Sequence, residues 1–253
     1  MTNKLKYFIG NWKMFGDFRD FRIVRKINQF NYRTKGSLKK KEIILCVPNT
    51  LIHYFNKRLK NKCISLGAQN CHYHQKYGPF TGAVNAKMLK RVGAKYIILG
   101  HSENRSEGES NKLIKKKIIS SLNQKLKIVF CVGETLEEKK KNKTFQVIKK
   151  QVLQSLKKNF DTNKIIIAYE PVWSIGTSKI PKINDLKKII NYIKSDLKKV
   201  IKLRNFPKVL YGGSVNSKNI RLFSSVHELD GFLVGGASQS PKEFIDIIKN
   251  YYK

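Results

Sequence analysis

Apolar and polar positions along this chain change their period at regular intervals. Short apolar runs, rich in β-branched residues and too brief for most helices, recur at Tyr7–Asn11, Ile43–Val47, Ile64–Ala68, Tyr96–Leu99, Ile128–Val132, Ile165–Ala168, Val209–Tyr211 and Phe232–Val234. Unbroken apolar runs of this kind suit strands buried on both faces of a parallel sheet. Between them lie segments with helical spacing, at Phe18–Tyr32, Thr50–Leu59, Ala86–Arg91, Leu113–Leu122, Leu136–Leu156, Asn184–Leu203, Ile220–Phe223 and Pro241–Tyr251. Eight strand–helix units follow one another without a linker or a shift in composition. The pattern predicts an α/β fold, a (β/α)₈ barrel forming a single domain over residues 1–253, with its chemistry at the C-terminal ends of the strands. A doubly wound open sheet is the competing arrangement. No GxGxxG or GxxxxGK[ST] follows any strand, which weakens its nucleotide-binding version.

Bulk composition changes this picture in one respect. A chain of 253 residues with 41% hydrophobic residues can bury a sizeable core. Its 52 Lys and Arg against 17 Asp and Glu leave a net charge of +35, a balance that raises nucleic acid or an anionic surface as a partner. The lysines, however, are spread over the helices (Lys115-Lys116-Lys117, Lys139-Lys140-Lys141, Lys149-Lys150, Lys187-Lys188, Lys198-Lys199) and interleave with apolar residues as solvated faces do. Nucleic-acid binding is therefore expected only as a non-specific electrostatic side effect. Cys46, Cys63, Cys71 and Cys131 form no CxxC pair, which favours a reducing compartment. No run has the length of a signal-peptide core or a membrane span, so a cytoplasmic location is expected.

The residues just past each strand carry the chemistry. Glu170 follows the sixth strand, and Pro171 behind it stiffens the backbone that presents the carboxylate. The Gly-bearing loop Trp173–Ser178 comes next, so the stretch reads as a general base beside a movable lid. Asn11 and Lys13 follow the first strand. His101 follows the fourth, with Ser102 placed to cap a short helix and Glu103 in its first turn; a helix N-terminus there favours a neutral imidazole. Gly133-Glu134-Thr135 after the fifth strand reads as a helix entry. Gly212-Gly213-Ser214 and Gly235-Gly236-Ala237-Ser238 follow the seventh and eighth strands, where barrels often bind phosphate through backbone amides.

The ordered segments GNWKM, GAQN, LGHSENR, CVGET, AYEPVWSIGTS, YGGSV and DGFLVGGAS closely resemble the motifs of the triosephosphate isomerase family, and the resemblance runs from Phe8 to the last helix. It implies a TIM barrel that interconverts dihydroxyacetone phosphate and D-glyceraldehyde 3-phosphate through an enediolate, in glycolysis and gluconeogenesis. In that reading Glu170 is the base, His101 the neutral electrophile and acid, Lys13 stabilises charge and Asn11 helps polarise. Gly176, Ser214, Gly235 and Gly236 hold the phosphate, Ile175, Thr177 and Ser178 belong to the lid, and Glu103 and Tyr211 support the site. No cofactor or metal is implied. The family forms homodimers in which the loop after the third strand, here Asn70 to Val84, enters the partner, with Thr81 as the contact.

The same resemblance marks departures. An acidic residue is usual where Ala83 stands, and a second Arg where Asn104 stands; losing both charges together is milder than losing one, so the dimer is expected to persist. Ser178 replaces a usual Gly and Pro181 a usual Ala. The family's tyrosine latches the closed lid through the N–H at the latter position, which Pro181 lacks, so Tyr211 is expected to take a different lid contact. Cys71, His72 and His74 offer three neighbouring metal ligands but no evident fourth, so no metal centre is expected. A phosphate-binding barrel with another substrate is the remaining alternative, and the joint presence of Glu170, His101 and Lys13 argues against it.

Overall fold

The computed structural model of the protein describes residues 5–36, 38 and 40–253. Its strands are β1 (Lys6–Asn11), β2 (Lys41–Cys46), β3 (Ser65–Ala68), β4 (Tyr96–Leu99), β5 (Lys127–Val132), β6 (Ile165–Tyr169), β7 (Lys208–Tyr211) and β8 (Gly231–Val234). Each pairs in parallel with its sequence neighbours, and β8 pairs with β1 from Tyr7↔Gly231 to Gly10↔Val234, which closes the barrel.

The continuous apolar runs follow from this closure. Ile9, Ile44, Ile98, Val129, Ile166, Leu210 and Leu233 point inwards and form one buried cluster. Their neighbours Phe8, Ile43, Leu45, Ile97, Phe130, Ile167 and Phe232 point outwards into a second cluster shared with the helices. Successive strand residues face opposite sides of a sheet, and both sides here are dry.

The helices are α1 (Phe21–Arg33), α2 (Asn49–Arg58), α3 (Ala86–Arg91), α4 (Ser102–Ser106), α5 (Asn111–Asn123), α6 (Leu136–Lys140), α7 (Thr144–Ser155), α8 (Ile183–Asn191), α9 (Leu197–Ile201) and α10 (Pro241–Tyr252). The helix expected over Leu136–Leu156 is two helices. Asn142 between them takes a left-handed φ of 55°, a conformation Asn tolerates better than most residues. A π-helical turn, Tyr192–Asp196, joins α8 to α9, so the expected Asn184–Leu203 segment is continuous but not uniform. Lys194 on that turn is buried and reaches Asp230 at 2.6 Å, where β8 begins.

One expectation about charge fails. Lys116 is exposed, but Lys117 on the same run is buried, pairs with the buried Glu109 and donates to Asn70 Oδ1 at 2.9 Å. It ties α5 to the start of the loop after β3. Among the described residues no helix is long and apolar enough to cross a membrane.

Candidate active site

Asn11, Lys13, His101, Glu170, Ile175, Gly176, Ser214, Gly235 and Gly236 line one cavity of about 270 Å³ at the C-terminal mouth of the barrel. Thr177 and Ser178, expected in the lid, are exposed and stand outside that lining, as do Glu103 and Tyr211. Thr81 is exposed in the loop after β3 and lies outside the cavity.

Glu170 leaves the end of β6 and is 4% exposed. Its Oε1 lies 3.5 Å from His101 Nε2, and its Oε2 is buried without a hydrogen-bond partner in the protein. Buried polar atoms are normally satisfied, so an unsatisfied carboxylate oxygen in a cavity wall is available for a proton. Beside it the buried Cys131 thiol is pushed well above its ordinary range, first by burial and then by the charge of Glu170.

His101 itself caps α4, correcting the expectation that Ser102 does. Its backbone is extended (ψ 146°) and its Nδ1 accepts from the Glu103 N–H at 3.2 Å. An accepting Nδ1 carries no proton, so the ring is the neutral tautomer with its hydrogen on Nε2, the atom facing Glu170. Glu103 Oε2 approaches Nδ1 only to 3.7 Å, because Oε1 is taken by Lys13 Nζ at 2.5 Å.

Lys13 sits in the left-handed region at φ 56°, where a non-glycine residue is strained. The Asn11 side chain holds it there, accepting the Lys13 N–H on Oδ1 at 3.2 Å. Thus Asn11 and Glu103 fix the two ends of the residue that brings positive charge to the cavity.

The two glycine pairs differ. A Cβ on Gly212 would stand 2.6 Å from Glu170 Cγ, and one on Gly213 only 2.1 Å from the Tyr211 hydroxyl. That pair is needed for packing around the base and the tyrosine. Gly236 has nothing within 4 Å of such a Cβ and Gly235 only Lys13 Cε at 4.0 Å, so this pair leaves space at the cavity wall for a ligand.

Behind Glu170, Glu134 is buried and accepts from Trp173 Nε1 at 2.8 Å and from Tyr169 Oη at 3.2 Å. Burial raises its carboxyl above the ordinary value, opposed by those hydrogen bonds. Lys139 Nζ lies 3.2 Å above the Trp173 ring, a cation–π contact. Sequence reading placed Glu134 only at a helix entry; Thr135 is indeed the cap, in a capping box with Glu138. Ser178 is left-handed at φ 60°. The Tyr211 hydroxyl lies 3.0 Å from Ser174 Oγ, and Ser174 was not singled out in the sequence. A lone Ser between a Trp and an Ile gives no signal until the fold sets it against β7.

Cys71 Sγ faces Ser121, while His72 and His74 both stack on Phe80. Among the described residues no three His, Cys, Asp or Glu side chains are grouped to hold a metal.

A closed eight-stranded barrel with a carboxylate, an imidazole and an ammonium group converging at its C-terminal mouth is an enzyme of the (β/α)₈ class. The family profile described as triosephosphate isomerase matches residues 6–251, and the chain belongs to that family of isomerases. It is 41% identical to the triosephosphate isomerase of Dictyoglomus thermophilum over 251 residues, covering 97% of this chain and 99% of the relative. The Saccharomyces cerevisiae enzyme is 38% identical over 245 residues, with 95% and 96% covered. Among solved structures, triosephosphate isomerase from Bartonella henselae superposes with a TM-score of 0.86 at 35% identity, covering 98% of this chain and 99% of that one.

Proposed function

We propose that the protein interconverts dihydroxyacetone phosphate and D-glyceraldehyde 3-phosphate, acting as a single domain over residues 1–253. The Glu170 carboxylate removes a proton from C1 of the ketone, and the electron pair moves to the C2 oxygen. His101 donates its Nε2 proton to that oxygen and the proton is relayed between the two enediol oxygens. Glu170 then returns its proton at C2, so no atom is gained or lost. The Lys13 ammonium offsets the negative charge that develops, Asn11 helps polarise the carbonyl, and the amides of Gly176, Ser214, Gly235 and Gly236 receive the phosphate. Ile175, Thr177 and Ser178 cover the site and exclude water, which protects the enediolate from phosphate loss. The chemistry needs a base, an acid and fixed dipoles, and no cofactor.

The observation that carries this reading is the 3.5 Å approach of Glu170 Oε1 to His101 Nε2 inside the cavity that Lys13 also lines. The test is to incubate the protein with dihydroxyacetone phosphate in D₂O. Formation of the aldehyde with deuterium at the transferred position supports the reading; the absence of both product and exchange rejects it.

The functional unit is a homodimer on this reading, placed in the cytoplasm and in glycolysis and gluconeogenesis. Met14 and Phe15, next to Lys13, are 94% and 58% exposed, an apolar surface that a second copy would cover. Thr81 reaches the partner's site. A monomer in sedimentation at micromolar concentration would reject the dimer. On this reading nucleic acid binds only as a non-specific electrostatic side effect of the +35 charge.

A further inference from the structure

Ser174 closes the short 3₁₀ turn Val172–Ser174 that leads into the lid, and it is completely buried. Its Oγ donates to the Lys179 carbonyl at 2.5 Å, lies 3.0 Å from Tyr211 Oη, and accepts the Ser214 N–H at 3.3 Å. A hydroxyl has one proton to give and two lone pairs. The Lys179 carbonyl can only accept, so it takes that proton, and Tyr211 must donate its own to Ser174. One oxygen atom at the start of the lid is thereby saturated by the lid's far end, by β7 and by the turn that follows β7.

Two further features make this knot the anchor for Tyr211. Pro181, two residues past Lys179, is buried and has no N–H to offer. A Cβ on Gly213 would fall 2.1 Å from Tyr211 Oη and 2.6 Å from Ser174 Oγ, so only glycine lets the three groups meet.

We propose that Ser174 is a positioning residue coupling phosphate binding to lid movement, because its hydroxyl occupies the Ser214 amide that the substrate phosphate takes. This rests on the reading of Ser214 as a phosphate-binding amide. The contact with that amide is the longest of the three. A phosphate oxygen is a charged acceptor and makes a bond roughly twice as strong as a neutral one, so it displaces Ser174 Oγ. Losing one of its three partners, Ser174 loosens its hold on Lys179 and Tyr211, and the lid is released to move over the bound ligand.

The test uses inorganic phosphate as a competitive inhibitor of turnover, with Trp173 fluorescence reporting the adjoining lid. Ser174→Ala frees the amide, so the phosphate Ki falls roughly 2- to 10-fold, the worth of one neutral hydrogen bond, and KM falls with it more than kcat changes. Ser174→Cys, close in size and a weak acceptor, shifts Ki in the same direction and serves if the alanine variant fails to fold. Tyr211→Phe leaves the Ser174–Ser214 contact in place and keeps Ki within about twofold. A purely structural Ser174 would lower the melting temperature while leaving Ki unchanged, and that result, or weaker phosphate binding, overturns the proposal. If the unaltered protein neither turns over triose phosphate nor binds phosphate, the functional reading fails and this proposal fails with it.

Discussion

Removing Lys117 alone should destabilise the fold far more than removing the pair it belongs to. Lys117 and Glu109 are 10% and 5% exposed at their side chains and contact each other directly. In Lys117→Met the Glu109 carboxylate keeps only the Asn70 amide, 3.4 Å from Oε1, because its Oε2 has no partner already. Stranding one member of a buried ion pair costs about 3–5 kcal/mol, and the poor remaining contact places this case near 4. For a chain of this size that corresponds to a fall in Tm of roughly 8–16 °C. The double variant Glu109→Gln/Lys117→Met leaves no charge buried and should recover to within about 2 kcal/mol of the parent. Urea unfolding at one fixed protein concentration, with the m-value checked for constancy, measures both. A single variant that loses less than about 1 kcal/mol, or a double variant as unstable as the single, refutes the reasoning.

The glycine pairs give opposite expectations. Gly213→Ala drives a methyl group into the Tyr211 hydroxyl and should cost about 1–3 kcal/mol in thermal unfolding. Gly236→Ala meets nothing within 4 Å, so stability should stay within about 0.5 kcal/mol while KM for triose phosphate rises. Glu134 gives a pH signature. Burial holds its carboxyl above the ordinary range of a glutamate, so the native state binds its proton more tightly than the unfolded chain does. The stability this contributes is complete below the unfolded value and is lost as pH rises through the folded one. Glu134→Gln should flatten that decline in denaturant titrations run across the interval; an unchanged slope would show that Glu134 is not its source.

The strands and the strand-end residues were legible because their signals are local. An apolar β-branched run between turn residues is buried on both faces of any parallel barrel, whatever its neighbours are. Asn11, Lys13, His101 and Glu170 could be picked out for the same reason, since the fold sends every strand terminus to one mouth. What stayed hidden depends on distant partners. Lys117 looks like any surface lysine until α5 packs beside Glu109 and Asn70. Ser174 and Glu134 acquire their roles only when β6, β7 and the β5 loop come together. The two glycine pairs look alike in sequence, yet Glu170 and Tyr211 crowd one and leave the other open. His101 as its own helix cap was missed because serine is the stronger cap by propensity and stood one residue later.

Steady-state turnover of triose phosphate by Glu170→Gln, beside the unaltered protein, bears most directly on the site. Glutamine keeps the shape of the side chain but cannot take up a carbon-bound proton. In Glu170→Gln kcat should fall by at least about 100-fold, with loss of deuterium exchange and an unchanged unfolding midpoint. A Glu170→Gln protein that folds and turns over at the parental rate would contradict it.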